Sequence, residues 1–398
     1  MFKHLRSIYA AAAAALILIP GVLVPCYALD SDPTLSQDLK SDNVIVIDAD
    51  SGQILTEKNP DDRIYPASMT KMMTALIAIE MIQDPNETIT ITKEMLAGLQ
   101  EANASVAGFV AGDAPTMIDI LYGIALPSGA DASNAMAYHF AGGVAPYVEK
   151  MNAKAKELGM NDTHFVNTTG LHNDDHYSTV RDIAKLLKYC LGHDTFRTIF
   201  SSAEYTTSPL RSHPAGIKME STAFSAIKKG NYPVPGFVGA KTGYTGPAGH
   251  CMAYWTSNNG MNLICVTAHA ATGMYVPSHI TDASSLLVKL DEWEKRTLLT
   301  AGDTAAKITV HHAHEDETIT IQVPDTLIAD LPKASVTEVV QTFPAEVNSG
   351  IEPEDMQGTL AVVKDGQVIY QKDLMVQIPR EVSFWSRLWM RIRKMIGF

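Results

Sequence analysis

The chain divides into stretches whose apolar residues recur every three or four positions and stretches in which they recur every second one. In NVIVIDADSGQILTEK, residues 43–58, two short apolar runs flank Asp50, Ser51 and Gly52, which predicts two strands around a turn. From Ser68 onward Met72, Met73, Leu76, Ile77, Ile79, Met81 and Ile82 fall on several sides of a helix, so that helix is expected to be buried. Helical spacing returns at about 115–125, 131–141, 145–158 and 179–191, and again at about 278–296. Before the last of these, FVGAKT, HCMAYWTS and MNLICVTAHA read as strands, with Asn259-Gly260 as the hairpin turn joining the second to the third.

Strands near both ends of this region, with helices between them, predict an α/β (α+β) domain over 43–300 whose single sheet is assembled from distant segments and covered by helices. The texture changes after Thr300. AAKITVHHAHEDETITIQV, SVTEVVQTF and GTLAVVKDGQVIYQKDLMVQI alternate like half-buried strands, and Asp365-Gly366 marks a tight hairpin, so 303–379 is expected to be a small all-β domain. The last stretch, 380–398, is apolar at 385, 388, 389, 392 and 396 and basic at 387, 391 and 394. As an amphipathic helix it is too short and too charged to span a bilayer, but suited to lying in an anionic membrane surface; docking on an acidic body or a partner is the alternative.

At the other end Lys3 and Arg6 precede an apolar stretch closing with Cys26-Tyr27-Ala28, which reads as a secretory signal over 1–28 cleaved after Ala28, the alternative being an uncleaved anchor. Pro25 argues against a lipoprotein site at Cys26. Residues 29–42, LDSDPTLSQDLKSD, are polar and read as a linker. The mature protein is thus expected to be exported, and held by its tail at the outer face of the cytoplasmic membrane.

Charge sharpens that division. The formal net charge is −13; without Lys3 and Arg6 it is −15, and because five basic residues against Glu381 make 380–398 +4, the body 29–379 carries −19. So acidic a body excludes nucleic acid as a partner. Cys190, Cys251 and Cys265 are isolated thiols with neither zinc-ligand nor C-x-x-C spacing, which suits buried core residues and no disulfide framework. His311 to Asp316, HHAHED, is the one tract with metal-ligand residue types; it reads as a polar strand end, and no metal or other cofactor is expected.

The candidate chemistry begins in PASMTKMM. A serine hydroxyl is a weak nucleophile that needs a base beside it, and residues three apart share a helix face, so Lys71 can reach Ser68. A lysine accepts a proton only when neutral, which burial among the flanking methionines would favour. Spacing alone does not decide, because Ser225 and Lys228 repeat it in SAIKKGN, where Gly230, Pro233 and Pro235 prevent a continuing helix. Ser128, in the LPSGADASNAMA turn, opens another helix. Lys241, Thr242 and Gly243 end a strand in VGAKTGYTG, supplying a fixed cation, a hydroxyl and a glycine that lets a substrate backbone approach.

Ser-x-x-Lys at a helix start, Ser-Gly-x opening a second helix and Lys-Thr-Gly on a late strand, in that order, resemble the signature of the penicilloyl-serine transferases. Over about 40–398, including THFVNTTGLHNDDHYSTVRDIAKL, the β domain and the amphipathic tail, the chain resembles the D-alanyl-D-alanine carboxypeptidases, low-molecular-weight penicillin-binding proteins that trim bacterial wall peptides. The resemblance implies a transpeptidase/β-lactamase-like domain with an antiparallel sheet between helical layers. It implies peptidoglycan stem peptides as substrates and β-lactam antibiotics as covalent inhibitors. By the same resemblance Ser68 is the acylated nucleophile, Lys71 its base and Ser128 the proton relay to the leaving D-alanine. Lys241 and Thr242 would bind the substrate carboxylate beside Gly243, with the oxyanion between the N–H groups of Ser68 and Tyr244.

Two departures stand out. The third residue of the second motif, usually asparagine, is Ala130, and Asn134 lies a helical turn further on. No arginine stands between Arg211 and Lys241 to bind a carboxylate, which leaves Lys218, Lys228 or Lys229. His172 and His176 invite a Ser-His-Asp reading, but no Gly-x-Ser-x-Gly elbow accompanies them, and they read as structural. A β-lactamase shares all three motifs but lacks the β domain and tail, and a non-catalytic wall-peptide binder would suit the loss at Ala130.

Overall fold

The computed structural model describes residues 31–271, 277–311, 316–348 and 355–378, together with the isolated positions 388, 389, 392 and 395. The signal expected at 1–28 and most of the tail expected at 380–398 lie outside the described residues. The chain forms two compact units, one of residues 30–296 with Asp330–Lys333 and one from Thr297 onward.

The first unit is organised by a five-stranded antiparallel sheet in the order Ile54–Lys58, Ser41–Asp48, Met261–Ala270, Gly249–Asn258, Phe237–Thr245. Its strands alternate between two cores. Val44, Val46, Met252, Tyr254, Leu263 and Cys265 pack on one face with Ile280, Leu286 and Leu287 of the Ser278–Leu290 helix. Ile45, Cys251, Ala253, Ile264 and Val266 pack on the other with Met69, Met72, Met73 and Leu76 and the helices Met117–Ala125, Ala130–Ala141, Val144–Glu157 and Val180–Cys190. Because successive strand residues point to opposite faces, a sheet apolar on both must be covered on both. This is the antiparallel sheet between helical layers that the sequence leads one to expect. The Asn259-Gly260 hairpin has both central residues left-handed, φ 51° and 77°, as a tight two-residue turn requires.

Three segments differ from expectation. The described part of the linker expected at 29–42, residues 31–42, is not free: Leu35 and Leu39 are buried in the second core, and the Asp282 carboxylate accepts hydrogen bonds from the N–H groups of Lys40 and Ser41 and from the Ser41 hydroxyl. Two leucines four apart among polar residues supply enough apolar surface to dock that turn. The helix expected to reach 296 ends at Leu290, and Trp293–Leu299 is a strand. Thr222–Gly230 is a helix closed by left-handed Asn231, so Ser225 and Lys228 do share a helix; the Ser225 hydroxyl is hydrogen-bonded to Glu220 at 3.4 Å.

The second unit holds strands Thr304–His311 and Asp316–Gln322 with Glu346–Asn348, and the sheet Thr337–Gln341, Asp355–Lys364, Gln367–Gln377. Small cores around Ile308 and Phe343, and around Leu360 and Val362, fill it. His311 is ion-paired with Asp316 at 2.9 Å and with Glu346 at 3.4 Å. The rest of the HHAHED tract lies outside the described residues, among which no group of three His, Cys, Asp or Glu side chains is placed to hold a metal.

Candidate active site

Ser68 sits in a single 3-10 turn, Ala67–Thr70, that runs directly into the Lys71–Met81 helix. Its side chain does not cap that helix. Lys71 Nζ lies 3.0 Å from Ser68 Oγ and donates to the Thr169 carbonyl at 2.6 Å. Ala67, immediately before the serine, has φ 46°, a left-handed conformation that costs a non-glycine residue energy and persists only where the surroundings impose it.

Lys71 is only 3% exposed, and burial pulls its pKa down to about 7 against the opposing pull of the Asp131 carboxylate. Asp131 is held by four backbone N–H donors, of Ala107, Gly108, Phe109 and Ala132. A buried lysine that is neutral near pH 7, hydrogen-bonded to a serine, has the protonation state that deprotonating a hydroxyl requires.

Ser128 is also left-handed, φ 65°, at the entry to the Ala130–Ala141 helix. Its hydroxyl meets Lys241 Nζ at 2.9 Å, and Nζ also donates to the Thr242 carbonyl at 3.0 Å. Lys241 is 2% exposed; burial and the nearby charge of Lys71 both push its pKa well below the usual lysine value. The Thr242 hydroxyl is 2.6 Å from that of Thr222. Gly243 brings the edge strand against Ser68, since a Cβ there would stand 3.0 Å from the Ser68 nitrogen. Tyr244 is 53% exposed, its ring 4.8 Å from that of His250, which stacks on His279. The three motifs therefore converge through Ser68 with Lys71, Ser128 with Lys241, and Gly243 against Ser68.

Other sequence candidates are placed elsewhere. Asn134 does not replace the missing carboxamide at Ala130: it donates to the Met95 carbonyl and accepts from the Thr168 hydroxyl. Lys218 is exposed and paired with Glu204 and Glu220, while Lys228 and Lys229 are exposed in the last turn of their helix. His176 is buried, accepts the Val166 N–H on Nδ1 and so donates from Nε2 to Thr70; burial lowers its pKa to about 4. His172 packs edge-on against Tyr65 and pairs with Asp174. Neither histidine is hydrogen-bonded to a candidate serine, so both are structural. Thr169, Asn167 and Thr222 are the site residues that motif reasoning does not pick out, although Asn-Thr-Thr-Gly is a recognisable Asx-turn signature.

The D-alanyl-D-alanine carboxypeptidase family matches residues 30–272. The D-alanyl-D-alanine carboxypeptidase DacF of Bacillus subtilis is 29% identical over 338 residues, 84% of each chain. DacA of Haemophilus influenzae is 26% identical, over 83% of this chain and 80% of its own. Among solved structures, the Streptomyces K15 DD-transpeptidase superposes with a TM-score of 0.56 at 26% identity, covering 63% of this chain and 96% of that one. Penicillin binding protein 5 from Haemophilus influenzae, 22% identical, reaches 0.63 over 86% of this chain and 97% of its own, a likeness of fold.

Proposed function

The chain belongs to the D-alanyl-D-alanine carboxypeptidase family, and from that premise we propose that Ser68 is the nucleophile with which this serine hydrolase releases the terminal D-alanine of a peptidoglycan stem peptide. The observation that carries the assignment is the 3.0 Å contact between Ser68 Oγ and a buried Lys71 whose pKa is drawn down to about 7. Neutral Lys71 takes the hydroxyl proton as Oγ attacks the carbonyl carbon of the penultimate D-alanine. The oxyanion that forms accepts hydrogen bonds from the N–H groups of Ser68 and Tyr244, and such preorganised donors are commonly among the largest contributions to rate. Ser128, hydrogen-bonded to Lys241, relays to the departing D-alanine amine the proton that Lys71 has taken up, which leaves Ser128 a hydroxyl and Lys71 neutral again. Lys241 and the Thr242 hydroxyl hold the terminal carboxylate, whose negative charge favours the Lys241 ammonium that burial disfavours, with Gly243 leaving room for the peptide backbone. Water then hydrolyses the acyl-enzyme. A β-lactam acylates the same serine, because its strained amide presents the same carbonyl.

The enzyme acts in the cell wall, and export followed by attachment of 380–398 to an anionic membrane surface would place it there. Leu388, Trp389, Ile392 and Met395 are helical and exposed, which suits that attachment. Among the described residues no helix is long and apolar enough to cross a membrane.

The test is D-alanine release from a peptide ending in D-Ala-D-Ala, with a Ser68→Ala control. Release by the wild type alone is expected, with stoichiometric penicillin labelling that the variant loses. Labelling that survives Ser68→Ala would overturn the assignment of the nucleophile.

A further inference from the structure

One side chain outside the three motifs organises the general base. A neutral lysine amine has two hydrogens and one lone pair, so it can accept the Ser68 proton only if its hydrogens point elsewhere. Here one of them is fixed by the Thr169 carbonyl at 2.6 Å. Ala130 offers a methyl group where a carboxamide would share that task, and Asn134 is occupied by Met95 and Thr168. Among the described residues, the acceptor that holds a Lys71 hydrogen away from Ser68 is therefore one main-chain oxygen.

That oxygen is held by Asn167. Its Oδ1 accepts from the Thr169 N–H at 3.1 Å, the Thr169 hydroxyl at 3.1 Å and the Gly170 N–H at 2.7 Å, while its Nδ2 donates to the Leu171 carbonyl at 2.9 Å. One amide thus closes the whole 167–171 turn. The turn is pressed onto the nucleophile: Gly170 has φ 77°, and a Cβ there would lie 1.8 Å from the Ala67 carbonyl oxygen and 2.9 Å from the Ser68 nitrogen. On its other side the Thr168 carbonyl accepts from Thr74 of the Lys71 helix at 2.7 Å. Base, nucleophile and turn are consequently locked to one another, and Asn167 is the residue that gives the turn its shape.

We propose that Asn167 is a positioning residue for the general base: its amide sets the turn that places the Thr169 carbonyl on Lys71, the role that the absent carboxamide at position 130 leaves to the main chain. The inference rests on the reading of Lys71 as the base. Asn167 is hydrogen-bonded to neither Lys71 nor Ser68, and acts through Thr169.

The experiment measures the rate constant for acylation by a chromogenic cephalosporin across pH, with thermal melts, for the full chain and for Asn167→Ala, Asn167→Asp and Lys71→Arg. Asn167→Ala is expected to acylate about 10–100-fold more slowly at the high-pH plateau, since misplacing a catalytic group by about 1 Å costs that much. Asn167→Asp keeps the Oδ1 acceptor but loses the Nδ2 donor to Leu171, and is expected to recover part of the plateau. Its new negative charge stabilises the Lys71 ammonium, so the rise in rate should move to higher pH. A purely structural role would lower the melting temperature and the labelled fraction without moving that rise. An Asn167→Ala rate within about twofold of wild type at every pH, or an unshifted rise in Asn167→Asp, overturns the proposal. A Lys71→Arg variant that acylates like the wild type instead overturns the reading of Lys71 as base.

Discussion

Lys71 places its amine 3.0 Å from the hydroxyl of half-buried Ser68 on a residue that is itself only 3% exposed, so the amine is largely withdrawn from water while the serine stays accessible. Burial disfavours the ammonium, the pKa falls to about 7, and the amine is the dominant form above that value. Acylation of Ser68 should therefore rise with pH through about 7 and level off above it. Lys71→Arg, which stays protonated throughout, should cost about 10²–10⁴-fold on the high-pH plateau and progressively less below about 7, where the wild type loses its neutral amine as well. Stopped-flow acylation over pH 5–9 checks both, and a rate independent of pH across about 7 would remove Lys71 as the base.

Gly170 and Gly243 both approach the backbone of Ala67 and Ser68 and should respond differently to a methyl group. At Gly243 a Cβ would meet the Ala67 Cβ and the Ser68 nitrogen at 3.0 Å, contacts that a shift of a few tenths of an ångström relieves. Gly243→Ala is expected to fold and to lose about tenfold or more in acylation, because the shift falls on Ser68. At Gly170 the Cβ would overlap the Ala67 carbonyl at 1.8 Å, on a backbone with φ 77°. Gly170→Ala should destabilise the chain by about 3 kcal/mol or more. Melting temperatures beside acylation rates separate the two; equal losses of stability would mean that the edge strand is as rigid as the turn.

The side chains of the site are largely legible in the sequence because they come as motifs: Ser68, Lys71, Ser128 and Lys241 stand where spacing and order place them. The Thr169 carbonyl is not legible, since every residue carries one and only the fold selects which of them reaches Lys71. The same holds for Thr222, which meets Thr242 across 20 residues of chain. In the fold, alternation identifies the strands at 237–245, 249–258 and 261–270, but the boundary near residue 290 is lost because the apolar spacing runs on through Trp293. The docked turn at 33–39 is missed for the opposite reason, two leucines being too few to stand out among polar neighbours.

Asp330 makes stability fall with rising pH. The residue is 1% exposed, among the described residues neither of its carboxyl oxygens accepts from an N–H or O–H donor, and it faces Asp48, which is itself ion-paired to Lys295 at 2.8 Å. Burial first, and the Asp48 charge second, push its pKa up to about 7. In the unfolded chain it titrates near ~3.9. Below that value both states are protonated and the stability that goes with the protonated, folded group is present in full. Between there and about 7 the folded chain keeps a proton that the unfolded chain has released, and the advantage is lost as pH climbs. Asp330→Asn keeps a hydrogen-bond donor toward Asp48 and should be more stable than wild type by about 1–3 kcal/mol at pH 8, with the gap closing by pH 4. Thermal melts at the two pH values decide it, and a constant gap would show that the proton is not involved.

Ala130→Asn restores the carboxamide that the second motif usually carries, and its effect depends on what already holds Lys71. The position is buried at the head of its helix, so the larger side chain should cost about 1–3 kcal/mol of stability through overpacking. Because Thr169 already takes a Lys71 hydrogen at 2.6 Å, a second acceptor adds little orientation, and acylation should gain no more than about threefold. In an Asn167→Ala background the main-chain anchor is loosened, and there the same carboxamide has an orientation to restore. The gain from Ala130→Asn should then be about tenfold or more, a coupling that acylation rates for the two single variants and the double variant measure directly. Equal gains in both backgrounds would mean that position 130 and the 167–171 turn act on Lys71 independently. A large gain confined to the wild-type background would mean that the Thr169 carbonyl never substituted for the carboxamide.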